Sequence, residues 1–147
     1  IAASKPHTVS VALQKIMHTL KGIKEHDTFS INVPSTAIAK QVDYCGIYSG
    51  KKRDKSELFN VFFGVLETAP LIQECPVNLE CQVIHTLDLK SHELVIGEII
   101  ETYVTKDCVT DEKPDPEKID PLIYTPGVMQ YQRLGEIVGK AFHMGKD

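Results

Sequence analysis

Two long runs joined by a two-residue turn constrain this chain more than any other feature. Leu79, Cys81, Val83, Leu87 and Leu89 fall on one parity, and Glu80, Gln82, Thr86 and Asp88 on the other. After Lys90-Ser91, the stretch from Glu93 to Val104 is long and β-branched. Period-two alternation sends side chains to opposite faces of a strand, so the two runs read as one antiparallel hairpin. Strands of this length build a barrel wall better than a small sheet. His85 lies on the apolar parity and reads as an interior residue.

The rest of the chain alternates between short strands and short helices. Val9 to Leu13 is an expected strand, followed by a helix over Ile16 to Lys24 that closes near His26-Asp27. Thr28 to Val33 alternates again and stops at Pro34. Ser35 is placed to cap a helix over Thr36 to Val42. Tyr48 to Lys55 is a polar, basic loop, and Asp54 or Ser56 is an expected start for a short helix through Leu58-Phe59. Asn60 to Glu74 reads as irregular, and Asp107 to Asp120 as a solvated excursion. Leu134, Ile137, Val138 and Ala141 have helical spacing, weakened by Gly135 and Gly139. The expected fold is therefore mainly β, a β-barrel with peripheral helices in a single domain over residues 1–147. The glycines make no G-x-G-x-x-G turn, which argues against a Rossmann fold.

Composition removes several function classes. Sixteen Lys and Arg against twenty Asp and Glu give a net charge of −4. That is the wrong sign for a nucleic-acid binder. No apolar run reaches the roughly 18 residues needed to span a bilayer, so no membrane role is expected. The four cysteines are Cys45, Cys75, Cys81 and Cys108, and none forms C-x-x-C. They are too few for a disulfide scaffold, which fits a reducing, cytoplasmic compartment. The chain opens on Ile1 without a basic or apolar leader, and a start upstream of Ile1 is expected.

Chemistry concentrates in two basic segments. Lys15, His18 and Thr19 occupy a strand-to-helix junction, where unpaired N–H groups and the helix dipole favour an anion. Ser49-Gly50 with Lys51, Lys52, Arg53 and Lys55 forms a second cluster able to close over the same anion. The more ordinary reading is two solvated loops. His92 lies at the hairpin turn, where a backbone-bonded turn residue is the ordinary role. Cys75 and Cys81 are six apart on one extended stretch, and no histidine pair has helical ligand spacing, so zinc needs convergence in space. Cys45 comes closest to a reactive thiol because the basic loop is near.

Ser4-Lys5-Pro6, Asn32-Val33-Pro34-Ser35, Asp43-Tyr44-Cys45-Gly46, Ser49-Gly50 and Asp54-Lys55 come first in an ordered set of short strings. Glu74-Cys75-Pro76-Val77-Asn78-Leu79-Glu80-Cys81 and Ser91-His92-Glu93-Leu94-Val95-Ile96-Gly97-Glu98 complete it. In this order the chain resembles the flavin reductase-like FMN-binding split-barrel family, in particular its flavoredoxin branch. The resemblance covers nearly the whole chain. It implies a Greek-key split barrel, a homodimer, and non-covalent FMN exchanging electrons with NAD(P)H or with a redox protein partner.

The resemblance also assigns residues. Thr19 matches the hydroxyl on the FMN phosphate, Lys55 the lysine that approaches the cofactor, and His92 the histidine beside flavin and nicotinamide, the one catalytic assignment. Lys15 and Ser49 join the phosphate donors, Asn32 the cofactor contacts, and Tyr131 is the aromatic shield, with Tyr124 next. No metal is implied. The family's "SKPP" has His7 in place of its second proline. Family members also begin well upstream, with a strand pair that contacts the ring, so the domain reads as N-terminally incomplete. Three functions follow: an NAD(P)H:flavin oxidoreductase, an FMN electron carrier reduced by a protein, or a dimeric barrel without cofactor.

Overall fold

A computed structural model describes residues 1–146. In chain order it contains β1 (Ala3–Ser4), β2 (His7–Gln14), α1 (Thr19–His26), β3 (Thr28–Val33), α2 (Ala39–Ile47), β4 (Val61–Phe63) and β5 (Pro70–Ile72). The long pair β6 (Val77–Asp88) and β7 (His92–Val104) follows, then β8 (Val109–Thr110), β9 (Lys113–Pro114), α3 (Pro116–Ile119), β10 (Ile123–Thr125) and β11 (Gln130–Gln132). The main sheet is antiparallel with strand order β1-β2-β7-β6-β3. Three small two-stranded sheets, β4–β5, β8–β9 and β10–β11, surround it. The chain is mainly β with few helices.

Alternation dictates the core. Val9, Val11 and Leu13 of β2, Phe29 and Ile31 of β3, Leu79, Cys81 and Val83 of β6, and Val95 and Ile99 of β7 all face inward. Leu20 and Ile23, three apart on α1, close over them. Asp27 ends that helix in the left-handed region at φ 54°, its N–H donating to the Ile23 carbonyl. Asp tolerates that conformation better than most residues.

The hairpin departs from its sequence parity at two bulges. Register shifts lie between Glu80 and Cys81 and between Val83 and His85, leaving Ile100 and Ile84 as the extra residues. Past Ile84 the phase reverses. Thr86 and Asp88 now share the inward side with Val95 and Glu93, while His85 and Leu87 pair with Ile96 and Leu94 on the outward side. His85 is thus exposed, not interior. A bulge inserts one residue and flips every side chain beyond it.

Four other expectations change. The helix after Ile16 begins only at Thr19, because Met17 N–H turns back to the Gln14 carbonyl and leaves Ile16 exposed. Ser35 makes no side-chain cap; a 3-10 turn at Thr36–Ile38 precedes α2, and Ser35 bridges to Pro121 instead. The segment 60–74 is not irregular, since Phe62 pairs with Leu71 in the β4–β5 hairpin. The tail carries no helix: beyond β11 residues 133–140 hold no regular structure. Its glycines and exposed apolar side chains have no surface to organise a helix against.

Candidate functional site

The end of β2 gathers the first group of candidate residues. Gln14 pairs with His92, and Lys15 N–H donates to the Ser91 carbonyl at 3.3 Å. The chain then turns into α1, whose N-cap, His18, supplies no side-chain cap. The opening donors of this helix are therefore not satisfied by a cap, and Thr19 carries a hydroxyl in the first helical position. Gly50 sits against His18: a Cβ there would lie 3.6 Å from His18 Cβ and Cδ2. The two basic segments thus meet in space.

The loop is well fastened. The Ser49 carbonyl accepts Lys52 N–H at 3.0 Å and Arg53 N–H at 3.2 Å, and Ser49 Oγ accepts Lys51 N–H at 3.3 Å. Arg53 stacks 4.6 Å from the Tyr48 ring centroid and donates to Tyr44 Oη at 3.1 Å. Lys55 Nζ donates to the Cys45 and Tyr48 carbonyls, both at 3.0 Å, at the C-terminal end of α2. A cation there complements the helix dipole. Two of its three N–H donors are engaged, leaving one for an anion.

The remaining candidates have partners of their own. Lys15 Nζ is ion-paired to Asp88 Oδ2 at 2.7 Å, so it is tied to the hairpin tip. The Lys15 hydrogen bond, then the Lys90 N–H, hold the Asp88 carboxyl below the usual range. Asn32 is a structural clip: its Oδ1 accepts Ile72 N–H at 3.1 Å, while Nδ2 donates to Ser30 Oγ at 3.0 Å and the Pro70 carbonyl at 3.4 Å. Tyr131 Oη donates to Asp43 Oδ1 at 3.2 Å, its ring 5.3 Å from that of Tyr124. Burial and the Asp43 carboxylate push its phenol upward. It joins the β10–β11 hairpin to α2.

His92 opens β7 and is half-buried, with Nδ1 2.9 Å from Ser91 Oγ. It belongs to an outward sheet face. Ala12, Leu94 and Leu87 lie directly across three strands, with Ser10, Ile96 and His85 in the next row. Gln14 and Leu89 flank His92. The result is an apolar strip with an imidazole at its end.

Beside α1 lies a cavity of about 660 Å³, lined by Val11, Leu13, Ile23, Phe29, Ile31 and Phe63, with His18 and Thr19 on its polar side. That size and apolar character suit a small-molecule site. Among the described residues no cluster of His, Cys, Asp and Glu could hold a metal, and no helix is long and apolar enough to cross a membrane.

Sequence reasoning missed Glu80. It stands on the polar parity yet is fully buried, accepting Val65 N–H at 2.9 Å, Leu66 N–H at 3.2 Å and Tyr103 Oη–H at 3.0 Å. The outward face of the hairpin base is covered by the loop after β4. No local pattern announces that cover.

The family described as flavin reductase like domain matches residues 1–133. A flavoredoxin from Methanosarcina acetivorans is 42% identical, with a TM-score of 0.95, covering 99% of this chain and 78% of its own. The flavoredoxin of Desulfovibrio vulgaris (Miyazaki F) is 36% identical with a TM-score of 0.92, covering 99% of this chain and 80% of its own. A ferric-chelate reductase (NAD(P)H) from Archaeoglobus fulgidus is 28% identical over 108 residues, 71% of this chain and 63% of that protein. The chain spans 63% to 64% of the length of the curated relatives it matches.

Proposed function

The chain belongs to the flavin reductase-like domain family, and from that premise we propose that it is a homodimeric FMN-binding oxidoreductase. In this reading it passes electrons from NAD(P)H through bound FMN to an acceptor. The observation that carries it is the meeting of His18 and Thr19 with the Ser49–Arg53 loop. A helix N-terminus, two hydroxyls and a fastened basic loop are the donors a phosphate dianion requires.

The residues present fit such a group. Thr19, Ser49 and the free donor of Lys55 would hold the phosphate, and the apolar strip ending at His92 offers a flat wall for a ring. Bound flavin supplies hydride acceptance and electron transfer; the protein supplies position and electrostatics. The imidazole of His92 can donate or accept a proton at the edge of that strip, its Nδ1 oriented by Ser91.

A second reading has its own support. Both flavoredoxins match 99% of the chain at TM-scores above 0.9. An FMN electron carrier reduced by a protein partner is the natural alternative to a nicotinamide-dependent reductase.

The test begins with the visible spectrum of the purified protein and a fluorescence titration with FMN. Lys55→Ala removes a charge-assisted hydrogen bond of about 1.5–3 kcal/mol, so FMN should bind roughly one to two decades more weakly. Unchanged affinity would remove Lys55 from the site. Stopped-flow mixing with NADH or NADPH then separates the readings, because a carrier shows no reduction on the catalytic timescale.

A further inference from the structure

Of the three ion pairs among the described residues, two tie one junction to one hairpin tip. Lys15, just after β2, pairs with Asp88 at the end of β6. Lys24, in α1, donates from Nζ to Glu93 Oε1 at 2.6 Å. Asp88 and Glu93 are cross-strand neighbours in the β6–β7 register. The charges act as one group, since Asp88 is held low by the Lys15 hydrogen bond first, then the Lys90 N–H, with the Lys24 charge adding to both. The two lysines flank the segment that carries His18 and Thr19.

Glu93 is an odd choice for stability alone. It is buried, with Leu13 beside it on β2 and Val95 two residues further along β7. A leucine would suit that neighbourhood without any charge. Desolvation offsets most of the attraction in a buried ion pair, and apolar replacements are often neutral or better. What the pair supplies is a fixed separation between two elements.

Those two elements carry the two ends of the candidate site. Lys24 and Thr19 belong to one short helix, about 7–8 Å apart along its axis, so they move as one body. Leu20 and Ile23 seat that helix on the core, but apolar contact is non-directional and resists lifting more than sliding. On the other side, Glu93 follows His92 directly on β7, and successive side chains take opposite faces of a strand. The ion pair therefore grips β7 from the inward face, at the residue adjoining the imidazole.

We propose that Lys24 and Glu93, supported by Lys15 and Asp88, are positioning residues that fix the separation between the phosphate donors at Thr19 and the imidazole of His92. The inference rests on the FMN reading, in which phosphate and ring occupy these two places. The clamp sets the span that a flavin with a phosphorylated side chain must bridge. A flavin without the phosphate makes no use of it.

The experiment is fluorescence titration of the full chain with FMN and with riboflavin, which shares the ring and lacks the phosphate. Glu93→Leu and Lys24→Met should each weaken FMN about tenfold and leave riboflavin within about twofold. The double variant should lose no more than either single one, because a broken pair cannot be broken twice. The sign at Glu93 separates position from charge: removing an acid near a dianion would, by Coulomb attraction alone, tighten FMN. Circular dichroism melting should show Glu93→Leu as stable as the parent, since the half-exposed Lys24 ammonium is left to water. If Lys24→Met melts early, Glu93→Leu decides. Tighter FMN binding in Glu93→Leu overturns the clamp. So does an equal loss of FMN and riboflavin, the mark of a merely structural pair, and so do losses that add in the double variant. Unchanged FMN affinity in Glu93→Leu overturns the clamp and leaves the FMN reading standing. A parent that binds neither flavin, or both equally, overturns the FMN reading at its phosphate and the clamp with it.

Discussion

The base and the tip of the β6–β7 hairpin share the same two strands but occupy different worlds. At the base both faces are covered: Cys81 lies in the core on one side, and Glu80 and Asn78 are buried on the other beneath the β4–β5 hairpin and its following loop. At the tip the inward side is covered only in part, with Glu93 and Val95 buried but Thr86 and Asp88 exposed, and Leu87 and Leu89 stand in solvent on the other. One bulge at Ile84 separates the regimes. The difference teaches that a continuous strand pair can fix the fold at one end and leave an apolar face uncovered at the other.

The sharpest way to break this contrast is at Glu80. Glu80→Leu leaves Val65 N–H, Leu66 N–H and the Tyr103 hydroxyl without their acceptor. Stranding buried donors should destabilise the protein by about 3–5 kcal/mol in urea unfolding. The same kind of change at the tip, Leu87→Gln, should stay within about 0.5 kcal/mol when read at a concentration where the chain is monomeric. Equal effects would mean that base and tip are not distinct.

Alkaline pH probes the base from another direction. Burial, then the neighbouring Glu74 carboxylate, raises the Cys75 thiol from 9.0 to about 11; burial, then Glu80, does the same for Cys81. The folded state therefore favours the protonated thiols. Their contribution is complete below pH 9 and is lost as pH rises towards 11, about 2–3 kcal/mol for each. Unfolding free energy measured across that window should fall, and the fall should be smaller by the thiols' share in Cys75→Ala/Cys81→Ala. At pH 8, iodoacetamide should label the half-buried Cys45 and Cys108 well before either buried thiol.

Gly97 gives a smaller and more local test. A Cβ at that position would collide with the Phe29 ring and lie 3.0 Å from Cys81 Cβ. The core must shift to admit it, so Gly97→Ala should cost about 1–3 kcal/mol. Gly127 faces open space, and alanine there should be close to neutral. A neutral Gly97→Ala would show that the core under the base is looser than the register implies.

Much of the base was legible in the sequence. The strand at Thr28 to Val33 has the bounds that alternation predicts, and Val9, Val11 and Leu13 face the core as their parity requires. What parity cannot carry is an inserted residue. Ile84 is itself apolar and β-branched, so nothing in its identity marks the bulge, and parity alone sends His85 and Leu87 to the wrong face. Glu80 illustrates the other limit: alternation reports which side a residue takes, while its burial depends on a loop that arrives from residues 64–66. The parts of the candidate site, Thr19 and the Ser49–Lys55 loop, could be proposed from the sequence because hydroxyls at a strand-to-helix junction and basic loops are local features. Their meeting at His18 and Gly50 is a tertiary fact. So are the clip at Asn32 and the pairing of Lys15 with Asp88.

The smallest expected effect on stability, and the most informative about the tip, belongs to His92. Its ring is half-buried at the end of the apolar strip, bonded only to its neighbour Ser91 among the described residues. Removing the imidazole creates no cavity in the core and strands no buried donor. His92→Asn should therefore leave the melting temperature within a few degrees. Under the proposed function its effect lies in rate. In His92→Asn the reduction of bound FMN by NAD(P)H should slow, because an amide can hydrogen-bond but cannot accept and return a proton as an imidazole does. Stopped-flow traces at saturating nicotinamide provide the measurement. A rate that survives the substitution would make His92 a strand-end residue, and the tip would differ from the base only in what covers it.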